Sequence, residues 1–176
     1  MSYQPNPYDF RDNRVLEKAL ADLPDSVEFI DIEVQRVPPM VLKGLRSQFD
    51  YAGRHGFYLW LPTAAGPQLK TMGLDDYDLA HLSLEGTDFR PHNRATTILK
   101  RSTVDHIVGL NNGGTNDISN LCLFPHIVNQ LKDAWEWTQK RGLFRKEGII
   151  QTIAPKKLEN GQFNPVPLFP DQYYPF

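Results

Sequence analysis

Between residues 96 and 140 the hydrophobic pattern passes from the dense β-branched spacing of strands to the three-and-four spacing of a helix, and that order leaves the local fold little freedom. Residues 96–110 are rich in β-branched side chains and predict a strand. Asn111-Asn112-Gly113-Gly114 is a turn signal, and residues 118–124 return as a second strand, so the pair predicts a hairpin. Pro125 then opens a helix reaching about residue 140, with Ile127, Val128, Leu131, Ala134, Trp135 and Thr138 on one face. His126, Asn129, Gln130 and Asp133 fall on the opposite face, which looks across at the hairpin if the apolar side packs inward.

The flanking sequence is mixed. Residues 13–23 predict a helix, with Val15, Leu16, Ala19, Leu20 and Leu23 in a stripe and Pro24 as its stop. Residues 27–37 alternate apolar and polar side chains and predict a half-exposed strand. Pro38-Pro39 opens a helix over residues 40–49, residues 57–61 predict a short buried strand, and residues 74–84 an acidic helix. A strand over 148–154, a turn at Asn160-Gly161 and an aromatic arm (Phe169, Tyr173, Tyr174, Phe176) packed over the body complete the reading. The fold class is therefore α+β: one mixed domain with a hairpin-plus-helix core in residues 90–145, an N-terminal α/β extension in 1–89, and a C-terminal strand and arm in 146–176. The short N-terminal strands have no evident partners of their own, which favours one continuous fold.

The chain carries a formal charge of −2, unevenly divided. Residues 1–89 hold 14 acids and 8 bases, whereas residues 90–176 hold 7 acids and 11 bases. The basic half contains the hairpin and helix, as a polyanion-binding half would. Arg90, Arg94, Lys100 and Arg101 fall in a stretch without an acid between Asp88 and Asp105. The single cysteine, Cys122, excludes an intramolecular disulfide framework and a four-cysteine zinc ribbon, and reads as a small buried hydrophobe. No apolar run approaches a membrane span, and residues 1–8 lack the basic cluster and apolar core of a Sec signal peptide. The expected location is cytoplasmic, or outside the cell by a route that reads other signals.

Chemistry concentrates in Asp105-His106-Ile107, Gly113-Gly114, Asn120-Leu121, Asn129 and Lys132. In a regular strand Asp105 and His106 point to opposite faces, so a local distortion is expected if both serve one site. These residues, with fourteen positions from His106 to Asn120 and nine from Asn120 to Asn129, resemble the HNH motif of the ββα-metal endonucleases over about forty residues.

The resemblance implies roles residue by residue. His106 matches the general base that takes a proton from the attacking water, a task that suits imidazole near neutral pH. Asp105 matches a ligand of one divalent cation. Asn120 matches the middle Asn, which holds the hairpin and orients the base. Asn129 matches the last motif position, where His is most typical and Asn a frequent variant, and Lys132 matches a position that often reaches phosphate. Arg94 and Arg101 are the other candidate nucleic-acid contacts. An Asp with an Asn carbonyl is an oxygen-rich set that favours Mg²⁺ or Mn²⁺; with His126 as the ligand instead, Zn²⁺ or Ni²⁺ fits. The flanking Cys-x-x-Cys knuckles of many members are absent, so no structural zinc is expected, and Gly109 stands where Pro is common.

The activity implied is metal-dependent hydrolysis of DNA phosphodiester bonds. Alternatives are an RNase or structure-selective nuclease, and a catalytically silent nucleic-acid-binding module. HNH domains of this size without zinc knuckles resemble toxin domains of bacterial polymorphic systems, which implies a cognate immunity protein, acidic where it meets the basic half.

Overall fold

The computed structural model describes residues 6–85, 94–141 and 148–174, with side chains of 83–85 and 94–96 excepted. Arg90 of the acid-free stretch, the Arg94 side chain and Phe176 of the aromatic arm lie outside the described residues. The protein is α+β. In chain order it contains α1 (Asn13–Ala21), β1 (Val27–Val34), α2 (Pro39–Gln48), a π-helical turn (Phe49–Gly53), α3 (Arg54–Thr71), α4 (Asp76–Glu85), α5 (Arg94–Lys100), β2 (Ser102–His106), β3 (Leu121–Pro125), α6 (His126–Arg141) and β4 (Gly148–Pro155). Single 3-10 turns at Leu110–Asn112, Ile118–Asn120 and Asp171–Tyr173 fill the connections. Among the described residues no helix is long and apolar enough to cross a membrane.

Two antiparallel two-stranded sheets organise these elements. β2 pairs with β3 from Ser102↔Pro125 to His106↔Leu121. β1 pairs with β4 from Val27↔Pro155 to Val34↔Gly148, so the N-terminal strand finds its partner at the other end of the chain. This closes the N-terminal segment onto the core.

β3 is buried along its whole length and divides two hydrophobic clusters. Its side chains alternate with period two. Leu121 and Leu123 join Phe57, Leu61, Leu69, Leu82, Leu99 and Val104 on the α3–α5 side. Cys122 and Phe124 join Leu16, Val128, Leu131, Ile153 and Tyr173 on the α1–α6 side. The lone cysteine is thus a buried hydrophobe, as expected. The C-terminal arm packs over the second cluster: Phe169 meets Phe124, Tyr173 and Tyr174 at ring-centroid distances of 5.9, 5.7 and 6.3 Å.

Two expected strands are replaced by helix. Residues 57–61 lie inside α3, where Phe57, Leu61, Ala65 and Leu69 recur every fourth position and are all fully buried. An apolar row at every fourth position fits a helix face, and its span from 57 to 69 exceeds the usual length of a strand. Pro62 and Pro67 do not end the helix; it kinks instead at Ala65 (φ −127°, ψ 17°), where Pro67 removes a backbone donor. Residues 96–110 are likewise divided. Residues 96–100 finish α5, which buries Ile98 and Leu99, and only Ser102–His106 is strand. The β-branched composition there loses to packing, as strand propensity commonly does.

Candidate active site

The β2–β3 hairpin ends at His106 and opens into a loop, residues 107–120, held by asparagine side chains. Val108 N–H donates to Asn120 Oδ1 at 2.9 Å, and Asn120 Nδ2 donates to the carbonyls of Val108 (3.0 Å) and Thr115 (2.8 Å). The two glycines have different reasons. Gly113 has φ 98°, which favours residues without a Cβ. A Cβ on Gly114 would overlap the Val108 carbonyl oxygen. Asn120 therefore stitches together a loop that the glycines allow to close. Asn120→Ala removes three hydrogen bonds from partly buried backbone and is expected to cost about 2–3 kcal/mol in urea unfolding. A change below about 0.5 kcal/mol, the low end for a single hydrogen bond, would show that the loop holds without the stitch.

At the end of β2 the strand stays regular, and the expected distortion is not needed. Asp105 turns toward α6 and His106 toward the α2–α3 side, yet both line one cleft of about 910 Å³, because the cleft lies off the loop end of the hairpin. Phe10, Arg11, Arg46, Phe49, Lys140 and Arg141 contribute to its other walls. The arginine and lysine lining comes from outside the hairpin: Arg11 precedes α1, Arg46 is on α2, and Lys132, Lys140 and Arg141 are on α6.

His106 is half-buried, and its ring packs on Phe49 at 4.4 Å between centroids. The π-helical turn places Phe49 there, an irregularity often found at functional sites. Its Nε2 lies 2.9 Å from Asn116 Oδ1, while Asn116 Nδ2 donates to the Leu45 carbonyl at 2.9 Å. That carbonyl only accepts, so the amide is oriented with its oxygen toward the imidazole and Nε2 must carry a proton. The lone pair of neutral His106 is then on Nδ1. Burial foremost lowers the His106 pKa from its usual 6.5, with Lys132 and Arg54 acting the same way and Asn116 and Asp105 opposing. The imidazole is a neutral base at about pH 7.

Asp105 accepts a hydrogen bond from Lys132 Nζ at 2.7 Å, and the same ammonium donates to the His106 carbonyl at 2.6 Å. Lys132 is 2 % exposed, so it faces inward and supports the strand end, where phosphate contact was expected. Burial by itself would lower its pKa, but Asp105 and Glu136 outweigh this and hold it above the ordinary lysine value. The chain of polar contacts continues. Asn112 Nδ2 donates to Glu136 Oε1 at 2.8 Å, and Lys140 Nζ donates to Asn112 Oδ1. Asn112 O in turn accepts from Gln35 N at 3.1 Å, which ties the segment after β1 to the loop.

The inward polar stripe of α6 is therefore Asn129, Lys132, Glu136 and Lys140, spaced by threes and fours, with Asp133 exposed beside it at the cleft. His126 and Gln130, which the helical wheel groups with Asn129 and Asp133, are exposed. His126 N donates to the Arg101 carbonyl at 3.0 Å, which puts both residues at the far end of the hairpin, about 17 Å of strand from His106. Neither lines the cleft, and Asn129 does not line it either. Asn129 is one turn, about 4.5 Å of helix rise, from Lys132, whereas His126 is two turns away. The Asn129 side-chain oxygen is buried without a hydrogen-bond partner among the described residues, an arrangement costly enough to call for one.

Of the candidates, Asp105, His106 and Lys132 come together at the cleft, Asn120 stands behind it holding the loop, and Asn129 is adjacent on α6. The orienting of His106 falls to Asn116 and the supporting stripe to Glu136 and Asn112, none of which stands out in the sequence. Two signals for them exist: the density of asparagines over 111–120, and the mixed charges at 132, 133, 136 and 140. Compared with protein-family profiles, with characterised proteins and with solved structures, the chain matches none of them.

Proposed function

We propose that this protein is a metal-dependent, HNH-like endonuclease hydrolysing phosphodiester bonds of DNA, with β2, β3 and α6 as its ββα-metal core. One observation carries the reading: Asp105 and His106 stand at the loop end of a hairpin, on a single cleft with arginine and lysine side chains in its walls. The cationic residues suit a polyanion, and the acid–histidine pair suits hydrolysis within it.

The donors available fit a hard divalent cation. Lys132 takes Asp105 Oδ2 and leaves Oδ1 without a protein donor among the described residues, and the Asn129 oxygen is likewise unpartnered. Among the described residues no group of three His, Cys, Asp or Glu side chains lies together, so Asp105 and Asn129 would hold the ion with water and phosphate completing the shell, a pattern that suits Mg²⁺ or Mn²⁺. Such an ion supplies charge neutralisation at the phosphate and the leaving oxygen. His106 Nδ1 accepts a proton from water as that water attacks phosphorus, and Asn116 keeps the ring turned so that Nδ1 faces outward. Asp105 nearby offsets the positive charge the ring then carries.

Supercoiled plasmid should be nicked and linearised with Mg²⁺ or Mn²⁺ and left intact with EDTA. Loss of total RNA without nicking moves the substrate to RNA. No cutting with any divalent ion, Zn²⁺ and Ni²⁺ included, would leave a silent binding module. In a metal titration, Asn129→Ala is expected to raise the Mg²⁺ requirement by about tenfold or more. His126→Ala is expected to leave it near the parent's, and the reverse ranking would make His126 the ligand.

A further inference from the structure

Helix α2 has no buried residue, although it stands at the mouth of the cleft. Helices of globular proteins are normally held by an apolar face, so the packing of this one leaves its composition unexplained. Leu42 and Leu45 are half-buried, whereas Met40 is 80 % exposed and Val41 52 %. Tyr51 in the following π-helical turn is 87 % exposed. Between Glu33 and Asp50 the chain has three cations, Arg36, Lys43 and Arg46, and no acid. All three are exposed and none forms an ion pair among the described residues. A basic run thus sits inside the half of the chain that is acidic on balance.

The fold fastens this run to the site at three points. The Leu45 carbonyl accepts from Asn116, the residue that holds His106. Phe49, the next residue after α2, packs on the His106 ring. Gln35 N donates to the Asn112 carbonyl, so Arg36 is beside the loop. Arg46 itself lines the cleft, facing a wall that includes Lys140 and Arg141.

We propose that α2 is the arm by which the protein grips duplex DNA beside the catalytic cleft, a deepening that rests on the nuclease reading above. Arg36, Lys43 and Arg46 contact phosphates along one strand. Met40 and Val41 supply the exposed apolar surface that minor-groove proteins press against base steps. The arm positions the duplex through backbone contacts and reads little sequence, since the contacts assigned to its cations are all to phosphate. Because its side chains carry no core, they can be changed without unfolding the protein.

The test uses the full chain carrying His106→Ala, so that bound DNA is not consumed, and a fluorescent duplex titrated by anisotropy at several salt concentrations with Mg²⁺. Adding Lys43→Ala with Arg46→Ala is expected to weaken binding roughly tenfold near physiological salt and to reduce the salt slope by about two, one for each phosphate that loses its cation. Lys156→Ala with Lys157→Ala, away from the cleft, should match the parent. If the Lys43/Arg46 variant keeps the parent's affinity and slope while the unsubstituted chain cuts plasmid, α2 is not the arm and the nuclease reading stands. If the parent neither binds duplex nor, unsubstituted, cuts it, the nuclease reading falls and the arm with it. If the two substitutions abolish co-sedimentation with anionic lipid vesicles but spare duplex binding, the helix is a membrane element and the inference is overturned.

Discussion

Replacing His106 with alanine is expected to lower plasmid cutting by roughly 10²–10⁴-fold while the protein stays folded, the usual loss when a positioned general base is removed. The pH profile gives the sharper check. The base acts in its neutral form, and burial holds its pKa below 6.5. Activity should therefore be level through neutrality and fall only as pH drops below 6.5. An acidic limb centred above that value would contradict the buried imidazole. Asn116→Ala should reduce the rate less and shift the limb further toward acid, since the hydrogen bond it removes is one of the two influences that raise this pKa. A purely structural role for Asn116 would lower the rate and leave the limb where it was.

The largest effect on stability is expected from Asp105→Ala. Lys132 is 2 % exposed and its partner carboxylate 13 %. Removing Asp105 leaves a buried ammonium with the His106 carbonyl as its one remaining hydrogen-bond partner among the described residues, a situation that typically costs about 3–5 kcal/mol. For a chain of this size that corresponds to a drop in Tm of about 10 °C. Lys132→Met should cost less, because Asp105 is nearer water. The double change Asp105→Leu with Lys132→Met should recover much of the stability. Near-equal stabilities of Asp105→Ala and the parent would show that the pair is not held as described. The sign of the pH effect is also defined. Folding raises the Lys132 pKa above 10.5, so the pair contributes fully below that value and is lost as pH rises past it through the folded pKa. A fall in the activity of Asp105→Ala therefore has to be read beside its melting curve, since this residue supports the fold as well as the cleft.

Much of the candidate site was legible because it is local. Glycine turns, the apolar stripe of α6 and the opposite facing of Asp105 and His106 all follow from backbone period and sterics within a few residues. The residues that do not show in the sequence act across the fold. Asn116 matters because α2 presents the Leu45 carbonyl to it, over 71 positions of sequence. Glu136 faces Asn112 only once α6 is laid against the loop. The misread segments show the same division. The apolar run at 57–61 looks like a buried strand by itself, and only the continuation through Ala65 and Leu69 makes it a helix face.

By itself, the sequence determined the strand–loop–strand–helix order, the placing of an acid and a histidine at a strand end, and the absence of any cysteine scaffold to hold them. Those are consequences of periodicity and composition. The tertiary structure decided that both side chains open onto one cleft, that Lys132 is spent inside on Asp105, and that α2 brings cations to the cleft from the acidic half. The physical reason is that burial and charge pairing depend on which surfaces meet. Here that choice follows from β1 finding β4 and from β3 being covered on both faces, contacts that no local pattern specifies.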